Sequence, residues 1–174
     1  MDTNLAISYL IILIVLLLGS GIFVARQVLR TRRVETTLSR LQQSAKEGEA
    51  SAKEYYELGS LLLDKKLFAR AIVQLQRALK ADDLEGDDNI ALVYNALGFA
   101  YAAQEQYDLA IRQYQDAIKL QPQYVTALNN LGFVYERKML IEQAIEVYED
   151  ALRYEANNTT AKKRLESLRR RVPV

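Results

Sequence analysis

Carboxylates are the only groups in this chain dense enough to suggest chemistry. Asp82-Asp83-Leu84-Glu85-Gly86-Asp87-Asp88 packs five of the 22 into one run, a density that suits a hard divalent cation. A calcium loop with Gly86 as its sixth residue would begin at Ala81 and end at Leu92, where carboxylates are required. The run therefore reads as solvated. Glu142 with Glu146, and Glu149 with Asp150, lie on solvated faces with no basic or nucleophilic companion, so no general acid/base pair forms. Histidine and cysteine are both absent, which removes the commonest general base, thiolate metal sites and disulfides. No catalytic residue, metal site, cofactor or small-molecule substrate is expected.

The other chemistry available is recognition. Tyr56, Phe99 and Phe133 offer large apolar contact area, and Asn95 and Asn129 carry amides able to hydrogen-bond an extended peptide or a helix. The alternative is that Phe99 and Phe133 pad the packing between structural units. Both readings depend on what element holds these five residues.

That element is a repeat. Asn95-Ala96-Leu97-Gly98-Phe99-Ala100-Tyr101 returns, 34 residues on, as Asn129-Asn130-Leu131-Gly132-Phe133-Val134-Tyr135, and Ala110, Tyr114 and Ala117 return as Ala144, Tyr148 and Ala151. A sustained 34-residue period marks tetratricopeptide helix pairs. Gly98 and Gly132 are expected where the helices of a pair come nearest, facing the slim alanines of the second helix. A weaker copy precedes them, with Tyr55, Leu58, Gly59, Leu62, Ala71, Leu75 and Ala78 in the same order. From Gly59 to Gly98 is five residues more than the period, and the insertion is expected in the loop containing Asp82–Asp88. The repeats are placed at 51–83, 91–123 and 125–157 within a domain over 51–158, and residues 159–174 form a basic capping helix with Leu165 and Leu168 inward. Ser51 with Glu54 predicts a capping box at the first helix. The sequons Asn157-Asn158-Thr159 and Asn158-Thr159-Thr160 read as a helix cap. First helices of such pairs line the concave side of the stack, which puts Tyr56, Asn95, Phe99, Asn129 and Phe133 in a groove.

Residues 1–25 are different in kind. Thr3 to Ala25 carry no charge, and the twenty residues Leu5 to Val24 are mostly aliphatic, enough at 1.5 Å rise to span a bilayer core of about 30 Å. Summed insertion preferences favour the membrane by about 4–8 kcal/mol. A single transmembrane helix is expected rather than a cleaved signal peptide, since no basic residue precedes the run and no Ala-x-Ala site follows it. Arg26, Arg30, Arg32 and Arg33 follow directly and mark residues 26–50 as a basic juxtamembrane segment on the cytoplasmic or stromal side, facing anionic lipid. Val34, Leu38 and Leu41 continue the helix, which is expected to stop near Gly48. The fold class is all-α: an N-terminal transmembrane helix, then a right-handed tetratricopeptide solenoid of three helix pairs and a C-terminal capping helix.

Net charge is +1, but residues 47–158 are strongly acidic while 26–46 and 159–174 are basic. The basic runs lack aromatic interleaving, so nucleic acid is not an expected partner. The carboxylate clamp that holds acidic chaperone tails needs cations at concave positions where this chain has Tyr56, Ser60, Ala96, Thr126 and Asn130. That adaptor role is not expected either.

The anchor running into Arg26-Gln27-Val28-Leu29, the segment Arg33-Val34-Glu35-Thr36-Thr37-Leu38-Ser39-Arg40-Leu41, the run Lys53-Glu54-Tyr55-Tyr56-Glu57-Leu58-Gly59-Ser60 and the run Tyr124-Val125-Thr126-Ala127-Leu128-Asn129-Asn130-Leu131-Gly132-Phe133 together resemble one family. It is the membrane-anchored tetratricopeptide protein of cyanobacteria and algal plastids known as hypothetical chloroplast frame thirty-seven. The resemblance implies a single-pass thylakoid protein with repeats facing the cytoplasm or stroma. It further implies a non-catalytic assembly factor whose partners are photosystem I subunits or assembly intermediates. The alternative reading is a general membrane-tethered scaffold that recruits a soluble partner and has no link to photosynthesis.

Overall fold

The computed structural model describes the backbone of residues 3–170 and the side chains of residues 9, 12, 13 and 16–170. Eight α-helices account for nearly all of it: α1 (Thr3–Glu47), α2 (Ala52–Asp64), α3 (Phe68–Lys80), α4 (Asp87–Ala103), α5 (Tyr107–Leu120), α6 (Val125–Arg137), α7 (Ile141–Tyr154) and α8 (Thr159–Arg169). The chain divides into two units, residues 1–43 and 44–174.

The described part of the first unit belongs to α1, one unbroken helix. The helix ends where expected, at Glu47, with Gly48 taking the left-handed conformation (φ +79°) that terminates helices at little cost to glycine. Among the described residues no helix is long and apolar enough to cross a membrane. The expected span therefore lacks support from them. Several of its side chains, in residues 1–8, 10, 11, 14 and 15, lie outside the described residues, as do residues 171–174 at the end of the cap.

The second unit is a stack of helix pairs, α2 with α3, α4 with α5 and α6 with α7, closed by α8. Each pair is held by one contact type. A Cβ added at Gly98 would sit 2.6 Å from the Tyr114 ring, and one at Gly132 would sit 2.6 Å from the Tyr148 ring. At Gly59 the same intrusion meets Leu75 at 2.7 Å. The glycine is a slot, and the large side chain sixteen residues later fills it. Ala71, Ala110 and Ala144 on the second helices, with Ala78, Ala117 and Ala151 further along, are fully buried and keep the approach close.

Between pairs, Gln76 Nε2 donates to the Tyr101 hydroxyl at 3.1 Å, and Gln115 Nε2 to the Tyr135 hydroxyl at 3.0 Å. The cap works as the half-apolar sequence requires: Ala161, Leu165 and Leu168 pack on Leu128, Ala144, Tyr148 and Ala151. Asn158 caps α8, its Oδ1 accepting from the Ala161 N–H at 2.8 Å. Ser51 and Glu54 form the capping box on α2.

The insertion does not go where it was expected. Helix α4 starts at Asp87 rather than near residue 91, one turn before the position matched by the start of α6, so most of the five extra residues lengthen a helix. Asp87 and Asp88 explain this, because carboxylates in a first turn favour the helix N-terminus. A second unexpected feature recurs with the repeat. Lys66, Glu105 and Met139 turn each pair with φ of 59°, 59° and 62°, conformations that strain a residue bearing Cβ.

Three outcomes follow from this packing. Gly98→Ala or Gly132→Ala is expected to destabilise the fold by about 1–3 kcal/mol through overpacking, seen as a lower Tm. Met139→Gly relieves the turn and is expected to raise stability by about 0.5–1 kcal/mol. Burial pushes the Tyr114 and Tyr148 hydroxyls above the ordinary tyrosine value of 10.0, and at Tyr148 the bond to Glu136 adds to the effect. Unfolded tyrosines would ionise from about pH 10 while these stay protonated in the fold, so stability is retained below that pH and lost above it. A Tm series between pH 8 and 11 checks the sign, and Tyr114→Phe should flatten its alkaline limb.

Candidate interaction groove

Each first helix touches the next first helix, α2 with α4 and α4 with α6, more closely than the second helices touch one another. The stack therefore curves with α2, α4 and α6 inside. All five residues expected to recognise a partner lie on these three helices.

Phe99 and Phe133 stand out among them. They are 47% and 42% exposed, although they flank fully buried neighbours, Gly98 with Ala100 and Gly132 with Val134. Both rings therefore present open surface beyond the packing between repeats. Tyr56 is different: half-buried, it packs on the cluster of Leu75, Val93 and Leu97. It also lies near the hydroxyl of Tyr124, whose acidity is weakened by burial first and then by Tyr56.

The asparagines are less free than the sequence suggested. Asn95 Oδ1 accepts from Asn130 Nδ2 at 3.0 Å, and Asn95 also bonds Tyr124. Asn129 Nδ2 donates to Asn158 Oδ1 at 3.2 Å, which ties α6 to the cap of α8. Of these two amides, Asn129 keeps one buried atom, Oδ1, without a hydrogen bond among the described residues. Both amides thus brace neighbouring units and hold the groove floor. Tyr124, Asn130 and Asn158 complete this bracing. Asn130 was expected at a concave position and Asn158 as a helix cap, but their bonds cross repeats at separations no periodicity marks.

At the far end the groove is closed by charge. Arg164 of α8 sits 5.8 Å over the Phe133 ring and 3.7 Å from Glu136 Oε2, while the Tyr148 hydroxyl donates to Glu136 Oε1 at 2.8 Å. Arg164 is exposed, as expected of the cap, but its contact with Phe133 and Glu136 was not visible in the sequence. At the near end a cavity of about 440 Å³ opens, lined by Lys53, Tyr56, Glu57, Asp83, Glu85 and Leu92 among others. Arg26, Arg30, Arg32 and Arg33 are exposed along α1. No three His, Cys, Asp or Glu side chains among the described residues are grouped to hold a metal ion.

Comparison with known proteins agrees with this architecture. Family models described as "TPR repeat" and "Tetratricopeptide repeat" match residues 98–138 and residues 52–83 and 125–158. The chain is 31% identical over 127 residues to ycf37 of Cyanophora paradoxa, covering 73% of each chain. It belongs to the ycf37 family. It is also 41% identical to the chloroplastic tetratricopeptide repeat domain-containing protein PYG7 of Arabidopsis thaliana, over 72% of this chain and 42% of that protein. The chain thus spans less than half the length of that relative. Among solved structures MamA superposes with a TM-score of 0.73 at 24% identity, over 81% of this chain and 80% of that one. That likeness shows an all-helical tetratricopeptide solenoid.

Because Phe99 lies outside the buried core, Phe99→Lys is expected to change stability by no more than about 0.5 kcal/mol. Circular dichroism through thermal melting checks this, and collapse of the helical signal would instead make Phe99 a core residue.

Proposed function

We propose that the protein is a non-catalytic, membrane-anchored assembly scaffold that holds photosystem I subunits or assembly intermediates on the stromal or cytoplasmic side of the thylakoid. The observation that carries the reading is the exposed Phe99 and Phe133 pair on the concave side of a rigid stack. Two aromatic anchors at one repeat spacing, on a floor braced by Asn95 and Asn129, suit capture of a polypeptide. The chloroplast relative and the resemblance in the anchor and arginine segments support the plastid setting and the photosystem assignment.

The membrane part of the proposal rests on α1. Its N-terminal half presents Tyr9, Ile12, Leu13, Leu16, Leu17, Leu18, Ile22, Phe23 and Val24, all exposed, and an apolar surface of this extent needs a partner phase. The Ser20 hydroxyl bonds the Leu17 carbonyl at 2.9 Å and is satisfied within its own helix, as lipid requires. The arginines that follow fix the repeats on the side of the anionic leaflet.

Two measurements test the parts separately. The full chain should stay in the membrane fraction after an alkaline carbonate wash, and Leu16→Arg with Leu17→Arg should release it. Capture from detergent-solubilised thylakoids should retain photosystem I subunits, with Phe99→Lys cutting recovery at least tenfold. Normal photosystem I accumulation in a deletion strain under strong, changing light would overturn the assembly role.

A further inference from the structure

The groove is not chemically uniform along its length, and its near end is the unusual one. At the far end Phe133 already has a cation over its ring, supplied by Arg164 of α8. Outside the groove the chain repeats that pairing, with Arg77 at 5.9 Å over Tyr55 and Arg137 at 5.9 Å over Tyr107. Tyr56 and Phe99 have no such cation among the described residues.

Next to Tyr56 lies the 440 Å³ cavity that the five-residue insertion builds. The loop before α4 contributes Asp83, Leu84 and Glu85, and the extra turn of α4 contributes Asn89. Its apolar wall is Tyr56, Leu92 and Val93. The charged residues on its rim are three carboxylates, Glu57, Asp83 and Glu85, against one cation, Lys53. Asp83 is already engaged, since its two oxygens accept the Ala52 N–H at 2.9 and 3.2 Å and cap α2. Glu57 and Glu85 make no side-chain hydrogen bond or ion pair among the described residues. The volume lies within the range of ordinary ligand sites.

We propose that this pocket takes an arginine or lysine side chain of the protein partner, with its apolar stem along Tyr56 and Leu92 and its charged head at Glu57 and Glu85. The inference rests on the concave groove being the docking face. An acidic segment is disfavoured by the excess of carboxylates. A purely apolar occupant would strip water from Glu57 and Glu85 and give nothing back. A side chain with an aliphatic stem and a cationic end matches both walls at once, and its head would supply Tyr56 with the ring contact that Phe133 receives from Arg164.

The probes are three acetylated, amidated tripeptides, Leu-Arg-Leu, Leu-Gln-Leu and Leu-Glu-Leu. Each is titrated into the full chain in nonionic detergent while the methyl NMR signals of Leu84, Leu92 and Val93 are followed. The arginine peptide is expected to shift these signals saturably, at least tenfold more tightly than the other two. Glu57→Gln with Glu85→Gln should weaken it about tenfold, as should raising the salt to screen the pair. Both substitutions are near-isosteric at partly or fully exposed positions, so unchanged methyl signals in the free variant confirm that the pocket is intact. Absence of any shift, equal binding of the glutamate peptide, or indifference to the double substitution overturns the proposal. Thylakoid capture keeps the two readings apart. Recovery that depends on Phe99 but survives Glu57→Gln with Glu85→Gln overturns the basic-segment inference alone. Recovery indifferent to Phe99→Lys removes the groove reading beneath it.

Discussion

Everything in the repeat unit depends on a glycine facing a large side chain across each helix pair. Gly98 against Tyr114 and Gly132 against Tyr148 leave no room for even a methyl group. That fit sets the distance between the two helices and fixes where each ring lies along its partner. Once the distance is set, the alanines at 110, 117, 144 and 151 can be buried completely. The residue that follows each of these glycines, Phe99 or Phe133, is then turned outward. The exposed pair of the groove is thus a geometric consequence of the buried pair beside it. The first repeat uses Leu75 in place of tyrosine, which removes a ring and its hydroxyl from the core at the end where the cavity opens.

Electrostatics is layered over this apolar frame. Charged groups lie at the turns, where Lys138 pairs with Asp108 and Arg137 approaches Glu105 at 3.9 Å. They also lie at the cap, where Arg169 meets Glu149 at 2.7 Å. Exposed pairs of this kind contribute little to stability. Arg164 differs, because its contact with Phe133 and Glu136 places a cation within the groove itself. The concave surface consequently has one end where an arginine, paired with Glu136, already covers the aromatic ring, and one acidic, open end.

Much of the fold was legible in the residues because the packing that makes it is periodic. The 34-residue echo located the glycine contacts, the alanine faces and the helix pairs, and Ser51 and Asn158 announced their helix starts through local side-chain chemistry. What escaped sequence reading was non-periodic or long-range. The acidic run looked like a loop because its carboxylates suit water, yet at Asp87 and Asp88 the same charges stabilise a helix N-terminus. The bond from Asn130 to Asn95 and the reach of Arg164 to Phe133 join residues about a repeat apart in sequence, and no spacing rule marks them. The left-handed turns at Lys66, Glu105 and Met139 were hidden because none of them is glycine.

The amide-to-hydroxyl ties between pairs hold a last consequence. Gln76 reaches Tyr101 across 25 residues, and Gln115 reaches Tyr135 across 20, so equivalent bonds form whether or not five residues have been added between them. The stack absorbs the extra chain without changing register. The junction ahead of α4 is therefore a place where descent with modification can reshape what the concave surface admits while leaving the helix pairs untouched. Relatives that share the same stack are free to differ there in the partners they select.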